Sequence, residues 1–251
     1  MENALKIQIE KIGKDQYLIP TTLKIIGNTW YGVSQDEKAK EYYEKSLAFE
    51  LKTIGIWHRD SAQTLALIGN TCNYDIAIVY YEKALNILQR VVGSQHRDIG
   101  KIFFSLGHIK QLENEYFKAL DFYKNCLNIY IQSYGIYHPD VVDVLIKIAE
   151  CSMSLLVYLD AIENYNKVIS ISEYSEELSS HISRGEILNQ IGICYESISD
   201  KKNALINFIQ SAAERHDCLW EQQESILESV ENAKRIAKEI GKENELPEWM
   251  R

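Results

Sequence analysis

Apolar residues recur at three- and four-residue spacing through almost the whole chain, which predicts stacked amphipathic helices and calls for no strand. Only three prolines, Pro20, Pro139 and Pro247, stand in the 251 residues, so little interrupts those helices. The pattern also repeats on a longer scale. "LKIIGNTW" (from Leu23), "LALIGNTC" (from Leu65), "FFSLGHIK" (from Phe103), "LIKIAECS" (from Leu145) and "LNQIGICY" (from Leu188) align without gaps. Their small residues Gly27, Gly69, Gly107, Ala149 and Gly192 fall at intervals of 42, 38, 42 and 43.

A second string follows each first one: Ala39 with Tyr43, Ala77 with Tyr81, Ala119 with Tyr123, Ala161 with Tyr165, and Ala204 with Phe208. The step from small residue to alanine is 12 except in the second copy, where Gly69 to Ala77 is 8. Four residues is about one helical turn, so a turn of the first helix or its loop is missing there.

This large, large, small, then Ala-x3-aromatic order resembles the tetratricopeptide repeat, and the 42-residue period with an added G-x-x-H-[RP]-D string is similar to the kinesin light chain variety. The resemblance implies a right-handed superhelical solenoid of antiparallel helix pairs, in which the glycine and alanine permit close approach and the aromatic fills the gap to the next repeat. On this reading residues 1–20 are helix B of an incomplete repeat. Residues 21–60, 61–98 (shortened), 99–140, 141–183 and 184–216 are five repeats, and 217–251 hold a capping helix and tail. "NALKIQIEKIGKDQYLIPTTL" aligns with "KSLAFELKTIGIWHRDSAQTL", Gly13 and Gly55 lying 42 apart, so an orphan helix B at the start raises the expectation of further repeats N-terminal to it in a longer chain. At the other end Ile226, Val230, Ala233, Ala237 and Ile240 form one stripe, predicting a helix from Asp217 to Ile240 that covers the last repeat, followed by a loose tail.

The connectors contain tripeptides with other associations: HRD at His58 to Asp60 and His96 to Asp98, HPD at His138 to Asp140. A protein-kinase loop needs Asn five residues after the Asp, where Leu65 and Phe103 stand, together with a glycine-rich loop, a strand lysine and DFG, all absent. A J-domain needs a basic helix before HPD, and "FYKNCLNIYIQSYGIYHPD" has one lysine. The structural alternative has Gly55, Gly93 and Gly135 end each helix B in left-handed conformation, with Asp60, Asp98 and Asp140 capping the next helix, Gln63 completing a capping box and Pro139 preceding a cap.

Composition adds exclusions. A net charge of -9 disfavours nucleic acid or an anionic membrane as partner, and no apolar run of about 18 residues or secretory signal is present. Cys72, Cys126, Cys151, Cys194 and Cys218 form no CxxC pair and sit in apolar-periodic stretches, which reads as reduced core thiols in a cytoplasmic, intracellular protein. Neither a metal nor a cofactor is expected, and no nucleophile elbow, P-loop or HExxH suggests an enzyme.

In tetratricopeptide proteins the groove is lined by helix A positions flanking the small residue. Carried over, these are Lys24, Asn28 and Tyr31; Gln63, Ala66 and Asn70; Lys101, Phe104, His108 and Gln111; Asp143, Ile146, Glu150 and Met153; and Glu186, Asn189, Ile193 and Glu196. The first three repeats then offer amides and mild positive charge, and the last two offer acid. Asn28 and Asn70 could each pair with both a donor and an acceptor of a peptide backbone. "KIIGN" with Lys101 also resembles part of the co-chaperone carboxylate clamp, although Leu67 and Ser105 occupy its remaining positions. The expectation is a non-catalytic adaptor or scaffold that binds a peptide or helical segment of an unidentified protein partner. The alternative is a ligand-sensing or autoinhibitory domain of a larger signalling or effector protein.

Overall fold

The computed structural model describes residues 18–174, 183–217 and 223–250. Eleven α-helices run in order through them: α1 Leu18–Gly32, α2 Asp36–Thr53, α3 Arg59–Asn70, α4 Tyr74–Val91, α5 Arg97–Leu112, α6 Tyr116–Tyr134, α7 Pro139–Ser154, α8 Tyr158–Ser172, α9 Arg184–Ser197, α10 Lys201–Asp217 and α11 Gln223–Glu239. Two 3-10 turns, Glu243–Glu245 and Glu248–Met250, follow, and no strand occurs among the described residues. The fold is an all-α solenoid. It divides into two compact units, Met1–Ile109 and Lys110–Arg251, each taken by itself below. Of the orphan helix B expected over residues 1–20, residues 1–17 lie outside the described residues and 18–20 belong to α1; Cys218 and most of the junction after Tyr174 also lie outside.

Short turns fold α1 onto α2, α3 onto α4, α7 onto α8 and α9 onto α10. What sets these contacts is the alanine–aromatic string. Ala39, Ala77, Ala119, Ala161 and Ala204 are almost wholly buried, and their aromatic partners with them. In these repeats the ring packs closely against the small residue: a Cβ on Gly69 would stand 2.9 Å from Tyr81 Cε1, and one on Gly192 2.6 Å from Phe208 Cε1. Gly27 is crowded by Tyr43 in the same way. Tyr43 also packs with Ile68 and Leu67 of the next repeat, so one aromatic serves both the pair and its neighbour.

The four-residue deficit of the second repeat falls at the end of its helix A. Helix α3 has 12 residues where α5 and α7 have 16. Ser34, Asn114, Leu156 and Ser199 turn the chain with φ between 57° and 64° in the other repeats, whereas in the second Asn73 Oδ1 caps α4 directly, accepting from Ile76 N at 3.1 Å.

The connectors are corrected in detail. Gly55, Gly93 and Gly135 do have φ of 80°, 83° and 83°, and at Gly135 ψ is 168°, a region essentially closed to other residues. The caps, however, are the histidines: Nδ1 of His58, His96 and His138 accepts the N–H of Asp60, Asp98 and Asp140 at 3.1, 3.2 and 3.2 Å. The aspartates therefore sit inside the first turn, where negative charge suits the positive end of the helix. Pro139 is the first helical residue, after the cap, where its missing N–H costs nothing. Gln63 does not close a capping box; it donates to Asp98 at 2.8 Å.

In the second unit α11 packs on α10 with Ala233 and Ala237 buried and Val230 and Ile240 half-buried, four of the five stripe residues, joined by Ile236, which the stripe did not include. The tail is not loose. Leu246 and Met250, 4% and 1% exposed, enter the same core. Trp249 stays half-exposed and stacks on His216 at 4.6 Å between ring centres.

Candidate functional site

In the first unit α1, α3 and α5 border a hollow of about 400 Å³. Lys24 and Asn28 come from α1, Gln63, Ala66 and Asn70 from α3, and Lys101 and Ser105 from α5, while Tyr81 and Leu88 of α4 lie beneath. Ala62 and Ala66 leave the depth, and Ile25, Leu67 and Ile102 make its wall largely apolar. Six of the groove residues expected from sequence thus meet: Lys24, Asn28, Gln63, Ala66, Asn70 and Lys101. Tyr31, Phe104 and His108 do not line it.

The packing tyrosines orient the groove amides. Tyr43 Oη donates to Asn28 Oδ1 at 2.8 Å, and Tyr81 Oη donates to Asn70 Oδ1 at 2.5 Å. Burial pushes the Tyr43 hydroxyl up to about 12 and raises Tyr81 likewise, so both remain protonated donors at neutral pH. Each amide oxygen is therefore engaged, and each Nδ2 makes no hydrogen bond within the described residues. The two-sided pairing expected of these asparagines narrows to donation.

Charges are arranged to match. Lys24 Nζ lies 3.1 Å from Oε1 of Glu50, a carboxylate only 1% exposed, so Lys24 is drawn toward α2 and is largely neutralised. Asp98, 4% exposed, accepts from Arg59 Nε at 2.6 Å and Gln63 Nε2 at 2.8 Å. Burial alone would raise its carboxyl; the bonds from Arg59 and Gln63 and the charges of Arg59 and His96 outweigh that and hold it below the usual aspartate range. Lys101 has no carboxylate partner among the described residues. The hollow thus presents amide donors, a hydroxyl and one unneutralised cation.

The second unit repeats the packing with other chemistry. Tyr123 Oη donates to Gln111 Oε1 at 2.8 Å, and Tyr165 Oη to Met153 Sδ at 3.5 Å. Glu150 and Glu186 border a hollow of about 480 Å³ with Ile146 and Met153. Glu150, however, is held by Lys147 Nζ at 2.8 Å and by Gln111 Nε2 at 3.0 Å. Glu196 is gripped by both Nη atoms of Arg235 on α11, at 2.6 and 2.9 Å. Asn189 is buried, donating to Glu228 at 3.3 Å and accepting from Ser229 at 3.4 Å. Asp143 is exposed and borders neither hollow.

Sequence reasoning missed Asp98 and Tyr81 at the first hollow. Asp98 was legible in principle: Arg59 to Asp98, Gln111 to Glu150 and Glu196 to Arg235 are all separated by 39, the spacing at which one helix A reaches the next. Cys126, Cys151 and Cys194 are buried free thiols, Cys72 is half-buried, and burial pushes Cys151 and Cys194 up to about 11. No described helix is long and apolar enough to cross a membrane.

Residues 72–98 match the family model described as tetratricopeptide repeat. No curated protein sequence matches the chain. Among solved structures, BtubC (BKLC) from P. vanneervenii is 14% identical with a TM-score of 0.74, over 88% of this chain and 89% of its own. A kinesin light chain-like protein of Podosopora anserina, with nearly identical TPR-like repeats, is 15% identical with a TM-score of 0.66, over 84% of this chain and 100% of its own. The apo form of RapI is 15% identical with a TM-score of 0.74, over 95% of this chain and 65% of its own. The family match therefore covers one repeat, and the structural likenesses show that the chain has the helical-repeat solenoid fold of these proteins.

Proposed function

We propose that this solenoid of tetratricopeptide repeats is a non-catalytic interaction module, an adaptor or scaffold of the cytoplasm, whose first-unit hollow receives a segment of a partner protein. The observation that carries the reading is the tethering of Asn28 and Asn70. With their oxygens taken by Tyr43 and Tyr81, their amide N–H groups face a ligand as donors, beside Ser105 and Lys101. Such a lining suits the carbonyls of an extended chain and a nearby carboxylate, and the apolar wall suits one large side chain. The twelve other expected groove residues, Tyr31, Phe104, His108, Gln111, Asp143, Ile146, Glu150, Met153, Glu186, Asn189, Ile193 and Glu196, are secondary in this reading.

The test is selection of short random peptides on the wild-type chain, followed by affinity measurement on variants. Asn70→Asp keeps an acceptor for Tyr81 and removes the donor, so it should weaken the selected peptides about tenfold or more while leaving the fold intact. Lys101→Glu should do the same and favour basic peptides. Unchanged affinity in both variants would refute the assignment. A second reading, a ligand-sensing or autoinhibitory part of a larger effector, is favoured by the RapI likeness, in which this chain spans 65% of the longer protein.

A further inference from the structure

The first repeat places an ion pair where the other four repeats have none. Three residues before the small residue of helix A stand Lys24, then Ala66, Phe104, Ile146 and Asn189. Eleven residues after the alanine of helix B stand Glu50, then Leu88, Tyr130, Ser172 and Arg215, all five of them buried. Packing at this second position therefore does not call for a carboxylate, and burying one is costly unless it is fully paired. Glu50 is not. Its Oε1 meets Lys24 Nζ at 3.1 Å and shares Ser46 Oγ, at 3.4 Å, with the carbonyl of Pro20. Its Oε2 has no hydrogen-bond partner among the described residues, and an under-bonded buried acid points to a role besides holding α1 to α2.

That role follows from where Lys24 stands. Lys24 and Lys101 are the two cations that border the first hollow. Lys101 has no carboxylate partner among the described residues, whereas Lys24 is tied to Glu50. Resting on the reading of the hollow as a peptide site, we propose that Glu50 is its specificity-determining residue: by holding Lys24, it restricts the hollow to segments with a single carboxylate. A second acid on the ligand would meet a neutralised pair, with Asp98 bordering the same hollow as a like charge. It would lose hydration and gain no counter-charge. A segment with one acid beside a large apolar residue keeps the whole attraction of Lys101 and the apolar wall.

The probes are labelled, acetylated peptides in which one leucine is followed by one glutamate or by two, with affinity read by fluorescence anisotropy at low salt. On the wild-type chain the second glutamate should change affinity less than about twofold. On Glu50→Gln, which releases Lys24, it should raise affinity about fivefold or more, and adding Lys24→Met should cancel that gain. A second readout needs no peptide. Acetylation of Lys24 by acetic anhydride, followed by mass spectrometry, should run about threefold or more faster in Glu50→Gln, while Lys101 keeps its rate. An equal Lys24 rate in both chains would overturn the proposal. So would a faster rate with no new preference for the second glutamate; the pair would then be a brace between α1 and α2, seen as a lower thermal midpoint alone. Failure of the peptide-site reading looks different: Lys101→Glu would leave binding of the one-glutamate peptide unchanged, and the proposal would fall with it whatever the Lys24 rate. Glu50→Leu, matching Leu88 of the second repeat, takes the place of Glu50→Gln if that variant does not fold.

Discussion

The two units share one packing device and put it to different ends. In each, an aromatic from helix B lies on a small residue of helix A and, where it is a tyrosine, reaches the groove-side residue beyond. In the first unit that residue is an asparagine whose amide remains available, and Lys101 is unneutralised. In the second, the groove-side positions serve the fold itself: Glu150 holds Lys147 and Gln111, Glu196 holds Arg235, and Asn189 is buried under α11. The lesson is that a repeat position does not carry a role; its neighbours one repeat on decide whether its polar group is exposed to a ligand or consumed in packing.

The largest expected effect separates the units by their closure. Met250 is 1% exposed in the core made by α10 and α11, so Met250→Ala should cost about 2–4 kcal/mol in chemical denaturation. The loss should appear as earlier unfolding of the second unit in hydrogen exchange, with first-unit protection unchanged. A uniform loss across the chain would break the comparison, since it would mean that the units melt as one.

Next comes the shared device. Gly192→Ala removes about 1 kcal/mol of helix-interior glycine cost but drives a methyl to 2.6 Å from Phe208, so overpacking wins and a net loss of about 1–2 kcal/mol is expected by thermal melting. Gly69→Ala, with 2.9 Å to Tyr81, should cost less. The reverse order would show that the Tyr81 ring, tied by its hydroxyl to Asn70, yields less readily than the unbonded Phe208 ring.

How much of this was legible beforehand follows from what each feature depends on. Repeat period, helix count per repeat, core alanines and aromatics, and the stripe of α11 are local or periodic, so the string of residues carries them. The groove chemistry depends on contacts 39 residues apart, and one repeat's pattern is silent on those: Arg235 could be read as a surface charge until Glu196 was seen under it. The cap was misassigned to aspartate because side-chain preference favours Asp over His, whereas the backbone of His58 and His138 is the extended one that an N-cap requires. The tail was expected to be loose because two apolar residues without a period give no helix signal, although they suffice to cover a bare helix face.

Asp98→Asn tests whether the first unit is as tightly wired at its rim as the second. The amide still accepts from Gln63 but loses the charge that faces Arg59, and a loss of about 1–2 kcal/mol at neutral pH is expected, given that Arg59 is partly exposed. Because the folded-state carboxyl lies below its unfolded value, its contribution is present above the unfolded aspartate value, about 3.9, and is lost as pH falls through the folded one. The wild-type and variant stabilities should therefore converge in acid below about pH 4, in urea titrations at each pH. A gap that persists there would mean that Asp98 acts by shape and not by charge.

The smallest effect sharpens the comparison most. Arg235→Gln breaks a bidentate grip on Glu196 that is partly exposed on both sides, so its cost in stability should stay under about 1 kcal/mol. Its consequence for recognition is larger in kind. Freed of Arg235, Glu196 joins Glu186 as a carboxylate open to a ligand, and the second unit regains the acidic character that its sequence suggests. Basic peptides that do not bind the wild-type chain should then bind the variant in fluorescence anisotropy, and high salt should abolish that binding. If wild type and variant bind basic peptides equally, α11 does not govern what the second unit can recognise, and the difference drawn between the two units fails at that point.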